Sequence, residues 1–272
     1  MDDFKDWIGR STTASDLVTE RLVSEFRATI GDLPEPADVL LPGLHWCLAP
    51  EIREYGDLGR DAHPRLGLLL PDLGLPRRMW AGGKVMFHGP IAAGETVTRT
   101  SVIRDITLKS GRTGPLGFIT VSHEYMVDGE VRVTEDQTIV YRDDRIAAQA
   151  DPPAAEAWET AASREITPQP PMLFRYSAIT FNGHRIHYDH TYATEVEGYD
   201  GLVVHGPMQA TWMQLMATSL LGRLPESFSY RGLAPLICGR KASIEARHSN
   251  TGLELRVHDI SGGFVTMQAK AS

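Results

Sequence analysis

The sequence predicts an α+β protein made of two similar units, each an antiparallel sheet wrapped round one helix. Three observations carry that expectation. The segment from Gly206 to Leu221 is apolar round most of a helical circumference, through Met208, Trp212, Met213, Leu215, Met216, Leu220 and Leu221, so it must be buried. Short β-rich runs occur in two groups, each after an apolar element. The order of helix followed by meander is thus met twice, and the stretch between the groups shows neither a helical nor a strand period.

Composition sets the outer limits. At 272 residues, 42% hydrophobic and 23% charged, the chain can bury one large core or two of ordinary size. A net charge of −8 and a pI near 5.7 give no general attraction to phosphate backbones or anionic membranes, which argues against a nucleic-acid or membrane partner. The two cysteines, Cys47 and Cys238, are far apart and form no disulfide framework or metal spacing, so a reducing cytoplasm is the simplest setting. The opening MDDFKDWIGR is acidic and lacks an apolar core, which predicts no signal peptide, and no stretch has the length of a bilayer span.

In chain order, Ser15 to Ile30 has a plausible cap and apolar residues at Leu17, Val18, Leu22, Val23, Phe26 and Ile30, and reads as one amphipathic helix. A proline-rich passage, residues 34–42, leads into Gly43–Leu48, a short apolar element that could be the first unit's central helix. Residues 51–76 mix glycine, proline and charge without a period and read as a long ordered loop, of the kind that usually forms a lid or binding loop. Strands are expected at Met79–Phe87, Glu95–Ile103, Gly117–Val127 and Val131–Tyr141, separated by Ala93-Gly94, Ser110-Gly111 and Asp128-Gly129. Residues 145–169 are the linker candidate, which divides the chain into 1–145, a linker over 146–169, and 170–272. Phe174–Phe181, rich in aromatic and β-branched residues, reads as the opening strand of the second unit, broken by Asn182-Gly183. After the buried helix come strands at Ser227–Ile237, Lys241–His248, Leu253–Ile260 and Phe264–Lys270.

Pro207 occupies a favoured first-turn position, and Gly222 stops the helix. The helix N-terminus carries unpaired backbone N–H groups and partial positive charge, suited to an anion or a polarised carbonyl oxygen. His187 lies shortly upstream. A fold that brings it beside Gly206 sets a titratable base opposite an oxyanion donor, the arrangement for acid–base chemistry next to a carbonyl.

These residues resemble a known family. Asn182-Gly-His-Arg-Ile-His187-Tyr-Asp189 followed by Gly201-Leu-Val-Val-His-Gly206 resembles the motif of MaoC-like, hotdog-fold (R)-specific enoyl-thioester hydratases and 3-hydroxyacyl-thioester dehydratases. The usual motif reads Asp-x-Asn-Pro-Ile/Val-His-x-Asp, with His-Gly opening the central helix. With Trp7-Ile-Gly-Arg10 and Phe87-His-Gly-Pro-Ile-Ala-Ala-Gly-Glu95, the whole chain is similar to the two-hotdog branch containing hydroxyacyl-thioester dehydratase type 2 and the mesaconyl-C4-CoA and itaconyl-CoA hydratases. The resemblance implies a double hotdog whose first half has a degenerate motif. It implies reversible hydration of a 2-enoyl-CoA, favouring short branched dicarboxylyl-CoA substrates. It implies no cofactor and no metal, and a monomer or homodimer. His187 falls on the catalytic histidine and Gly206 on the glycine whose N–H polarises the thioester carbonyl. Asn182 stands where the motif has its aspartate; an amide cannot accept a proton, so Asn182 can orient a water but not act as a base. Asp189 is the expected orienting partner of His187; Arg185, Val204, His205 and Gln214 are candidates for substrate binding or orientation.

Other readings stay open at this level. His184, His187 and His190 are spaced by three, and His187-x-Asp189 with the distant His248 mimics an iron triad, but that site needs His187 between strands, not just before a helix. Arg175, Arg185, Arg53, Arg60 and Arg65 read as solvated charges unless a CoA or carboxylate recruits them. A hotdog thioesterase normally places a carboxylate on or near its central helix, and Gly206 to Gly222 holds no Asp or Glu. A dehydratase of carrier-protein thioesters and a non-catalytic acyl-binding subunit are the alternatives.

Overall fold

In a computed structural model of the chain, which describes residues 4–31, 41–111, 114–143, 152 and 154–272, the strands join into one antiparallel sheet. They are β1 (Ser11–Leu17), β2 (Arg77–Phe87), β3 (Thr96–Gly111), β4 (Gly114–Val127), β5 (Glu130–Arg142), β6 (Ala162–Ile166), β7 (Ser227–Gly232), β8 (Ala242–Ser249), β9 (Gly252–Asp259) and β10 (Phe264–Ala271). Their spatial order is β1-β3-β4-β5-β2-β7-β10-β9-β8-β6. Matching β1–β5 with β6–β10 makes that order read the same from either edge, so the two halves share one strand topology. The halves meet where β2 pairs with β7, Gly83 opposite Tyr230 and Val85 opposite Phe228, so two potential edges protect each other.

Three α-helices accompany the sheet among the described residues: α1 (Glu20–Ile30), α2 (Pro170–Ile179) and α3 (Gly206–Leu221). α3 packs against β8, β9 and β10, and also against β2 and β7. Its Met208, Trp212, Met213 and Leu215 are wholly buried, each worth roughly 1.5–3 kcal/mol of transfer free energy. The helix satisfies its hydroxyls internally, Thr211 donating to the Pro207 carbonyl at 2.9 Å and Thr218 to that of Gln214 at 2.8 Å. Gly222 ends it in the left-handed conformation.

Several sequence expectations are corrected. Ser15–Ile30 is not one helix: Ser11–Leu17 is edge strand β1, and α1 starts only after Thr19, whose hydroxyl accepts the Leu22 N–H at 3.0 Å. Gly43–Leu48 is a single buried 3-10 turn, Leu44–Cys47, and not a full helix. The strand expected at Ser227–Ile237 stops at Gly232. Strand β6, paired with β8, lies inside the stretch that shows no period in sequence. Residues 32–40, most of the proline-rich passage, and the start of the linker candidate, up to 151 with 153, lie outside the described residues.

The largest correction is Phe174–Phe181, which belongs to a helix, α2, and not to a strand. Pro170 and Pro171 pre-set its first turn, and Met172, Leu173, Tyr176 and Ile179 recur at helical spacing to face the core. β-Propensity misleads here because tertiary packing outweighs it. The helix ends with Phe181 N–H donating to the Ala178 carbonyl and Asn182 N–H to that of Ser177, which puts Phe181 in the left-handed region at φ 51°.

A strand would place residues 174 and 176 on one face; α2 exposes Phe174, at 67%, and buries Tyr176 completely. Tyr176→Ala is therefore expected to cost about 3–5 kcal/mol in urea unfolding, and Phe174→Ala less than about 0.5 kcal/mol. Equal losses would contradict the helical assignment.

Candidate active site

The segment carrying His187 and the segment entering α3 are tied by backbone and side chain together. Val203 N–H donates to the Ile186 carbonyl at 3.0 Å, and His187 Nδ1 lies 2.7 Å from the Val203 carbonyl oxygen. Val204 N–H in turn donates to Leu236 O at 2.8 Å, anchoring the pair to the segment after β7. As a result His187, Asn182, Val204 and Gly206 line one cavity of about 620 Å³, within the usual size for small-molecule sites. Gly206 opens α3 with no side-chain cap, so its N–H is among the first-turn donors that the helix itself does not satisfy.

A carbonyl oxygen can only accept, so the His187 proton resides on Nδ1, and neutral His187 keeps its lone pair on Nε2. The ring is held neutral. Burial, the stacked His205 ring 3.5 Å away and nearby His184 push its pKa well below the usual histidine value. His205 is wholly buried, bonds Ser177 Oγ through Nε2 at 2.8 Å, and is driven by burial to about 3. It serves as a packing plate behind His187 and does not line the cavity.

Asn182 accepts the His184 N–H on Oδ1 at 2.9 Å, which fixes the side-chain orientation and leaves the amide NH2 as its donor group. Asp189 does not orient His187: it takes Arg185 Nη2 at 2.7 Å and the Tyr192 N–H at 3.0 Å, which hold its carboxyl below the usual range. The Val203 carbonyl fills the role expected of Asp189. Arg185 is engaged with Asp189 and the Arg60 carbonyl. Gln214 is fully buried with neither polar side-chain atom bonded, off the cavity; the helix glutamine that reaches it is Gln209, held by Thr266 Oγ1 at 2.7 Å. Of the loop arginines, Arg53 pairs with Glu51 and Arg65 with Asp57. His190 is exposed, as is His248 on β8, so neither spacing-based metal set assembles.

Two buried ion pairs brace this wall, and sequence reasoning passed over both. Arg78 grips Asp61 through Nε at 2.9 Å and Nη2 at 3.2 Å, and Arg77 meets Glu197 at 3.2 Å. His63 Nδ1 faces Asp61 Oδ2 at 3.3 Å, and His184 Nε2 faces Glu197 Oε1 at 3.6 Å. Burial alone would raise both carboxyls, but the hydrogen bonds of Asp61 with His63 and Arg78, and the nearness of His184 and Arg77 to Glu197, hold them below the usual range. Asp61, His63 and His184 offer donor atoms within 4.8 Å of one another, but a cation there would lie against the Arg78 guanidinium. The group is an ion-paired imidazole cluster.

The first half forms the far wall. Trp80 Nε1 donates to Tyr230 OH at 2.6 Å, Tyr230 donates to Glu135 Oε1 at 2.9 Å, and Trp46 Nε1 donates to Glu135 Oε2 at 2.9 Å. Burial pushes the Glu135 carboxyl up to about 7. The signal for it was available: Val133, Glu135 and Tyr141 alternate onto the buried face of β5.

Comparison with known proteins bears on family and fold. A family model described as hydroxyacyl-thioester dehydratase type 2 matches residues 43–238. The chain is 37% identical over 267 residues to the mesaconyl-C(4)-CoA hydratase of Chloroflexus aurantiacus, covering 96% of this chain and 94% of that protein. Its structure resembles a MaoC-like dehydratase from Phytophthora capsici, with a TM-score of 0.74 at 14% identity over 100% of this chain and 98% of the other. It also resembles a Mycobacterium tuberculosis protein described as a double hotdog, with a TM-score of 0.59 at 14% identity, covering 97% and 95% of the two chains.

The buried imidazoles make stability depend on pH. His45, His123 and His205 charge only near pH 3 in the folded chain and His63 near 4, with His187 also well depressed, whereas unfolded histidines charge near pH 6.5. Below about pH 6.5 the unfolded chain therefore takes up protons that the folded chain refuses, each at up to about 1.4 kcal/mol per pH unit. Glu135, which protonates first in the folded state, opposes this with one group. The thermal midpoint should fall steadily from pH 6.5 to 4.5; a flat profile would contradict neutral buried imidazoles.

Proposed function

The chain belongs to the hydroxyacyl-thioester dehydratase type 2 family and is a hydro-lyase of acyl thioesters; within that activity, we propose that His187, Asn182 and Gly206 form its catalytic centre. The supporting observation is that His187, with Nδ1 tied to Val203, lines the same cavity as the amide end of α3. The thioester carbonyl oxygen accepts the Gly206 N–H, which stabilises the enolate-like oxygen as water adds at C3. Nε2 of neutral His187 takes one proton from that water and returns it to C2, while the Asn182 amide NH2 donates to the water oxygen. In the other direction the same groups remove water from the 3-hydroxyacyl thioester.

We infer a short, branched dicarboxylyl-CoA as substrate, of the mesaconyl-C4-CoA or itaconyl-CoA type, on the strength of the 37% identical hydratase. The finer reading of the fold is a double hotdog, with the second-half strands wrapped round α3 and the first half round the Leu44–Cys47 turn; the divide between the halves falls ahead of β6. Among the described residues no helix is long and apolar enough to cross a membrane. A monomer or homodimer, acting in the cytoplasm as a bacterial hydratase would, completes the proposal.

A panel of mesaconyl-C4-CoA, itaconyl-CoA, crotonyl-CoA and a long-chain enoyl-CoA tests the substrate, with the highest kcat/KM expected for a dicarboxylyl member. His187→Ala is expected to lower hydration at least about 10²-fold without loss of the folded state. Turnover by that variant at the unaltered rate would sink the assignment.

A further inference from the structure

The site has a base in His187 and an amide donor in Asn182, but a water held by these two alone has one hydrogen without an acceptor. Asn182 has one lone pair of its oxygen turned to the His184 N–H, so an acceptor already facing the cavity is sought elsewhere. The loop of residues 51–76 brings a candidate to the same cavity. His63 lines it with its side chain 28% exposed, while its Nδ1 faces the Asp61 carboxylate at 3.3 Å. A carboxylate only accepts, so the hydrogen is on Nδ1 and the lone pair on Nε2. Arg78 fixes Asp61 in turn, through two donor nitrogens at 2.9 and 3.2 Å.

This loop is fastened to the motif segment itself. Arg185 N–H donates to the Asp61 carbonyl at 3.1 Å, and Arg185 Nη1 to the Arg60 carbonyl at 3.2 Å. A Cβ on Gly183 would come within 2.8 Å of the Ala62 carbonyl oxygen, so only glycine admits the loop this close. The His63 ring lies 4.4 Å from that of His184, which lies 5.5 Å from that of His187. The first half thus brings a second imidazole, fixed in tautomer by a buried carboxylate, to the wall of the cavity that His187 lines.

Resting on the hydration reading above, we propose that His63 is a further catalytic residue: its Nε2 accepts the hydrogen of the attacking water that stays on oxygen. Every direction round that water is then assigned. One hydrogen goes to His187 Nε2 and onward to C2, the other points to His63 and remains on the C3 hydroxyl, and one lone pair accepts the Asn182 N–H. The second lone pair forms the bond to C3 as the C2–C3 π pair moves toward the thioester oxygen. Asp61 is a positioning residue, acting through the tautomer of His63.

The experiment compares His63→Leu and His63→Gln in the full chain, assayed with crotonyl-CoA and mesaconyl-C4-CoA, with thermal midpoints recorded. His63→Leu is expected to lower kcat about 10- to 100-fold, the effect of losing one hydrogen bond to the reacting water, with KM little changed. His63→Gln, whose amide oxygen can accept, is expected to recover most of the loss. Should His63→Leu fail to fold, Asp61→Asn replaces it: an amide donor at Nδ1 shifts the hydrogen to Nε2, and kcat should fall similarly. An unchanged kcat in His63→Leu, or in Asp61→Asn where it stands in, overturns the role of His63, as does an equal loss in the Leu and Gln variants. If the unaltered protein hydrates neither thioester, the hydration reading itself fails.

Discussion

Burying a helix that is apolar on every side is the constraint from which the site follows. α3 must be enclosed by the sheet, yet its first turn carries N–H groups that no preceding turn can satisfy. One end of the rod therefore has to open onto something polar. Here it opens onto the cavity, and the segment before it, anchored to Ile186 and Leu236, brings His187 to the same wall. Core packing and the uncapped N–H groups at the cavity are consequences of one element.

The electrostatics of the wall follow from the same enclosure. A buried imidazole with no anion beside it stays neutral, which is the state a general base requires. His187 satisfies this through the uncharged Val203 carbonyl and the stacked His205 ring. The charges of Arg77 with Glu197 and of Arg78 with Asp61 are matched in opposite pairs and flanked by His184 and His63. Each pair would be costly to break from one side, because the partner would be left buried and uncompensated. They hold loop and motif in one geometry.

The near-palindromic strand order explains how two halves come to share one site. Pairing of β2 with β7 sets the first half's inner face beside the second half's helix start, so Trp46, Trp80 and Glu135 wall the cavity that His187 and Gly206 line from the second half. The first half keeps only a 3-10 turn, Leu44–Cys47, where the second has sixteen-residue α3. Its contribution has moved to the long loop, which carries Asp61 and His63.

Local pattern was enough to reveal the meanders and the buried α3, because strand alternation and helical periodicity are properties of neighbouring residues, while only the fold brings His187 and Gly206 to one cavity. It misjudged α2, since aromatic and β-branched content speaks for a strand until Leu173 and Tyr176 find a core to face. It chose Asp189 and Gln214 by proximity along the chain, whereas the carbonyl of Val203 and the side chain of Gln209 are the groups that reach the site. The Asp61–His63 pair stands more than a hundred residues from the motif it adjoins, and Glu135 is bonded to Tyr230 of the other half. Which side chains share a buried wall depends on how the sheet closes over α3, a long-range packing outcome that nearest-neighbour pattern does not encode.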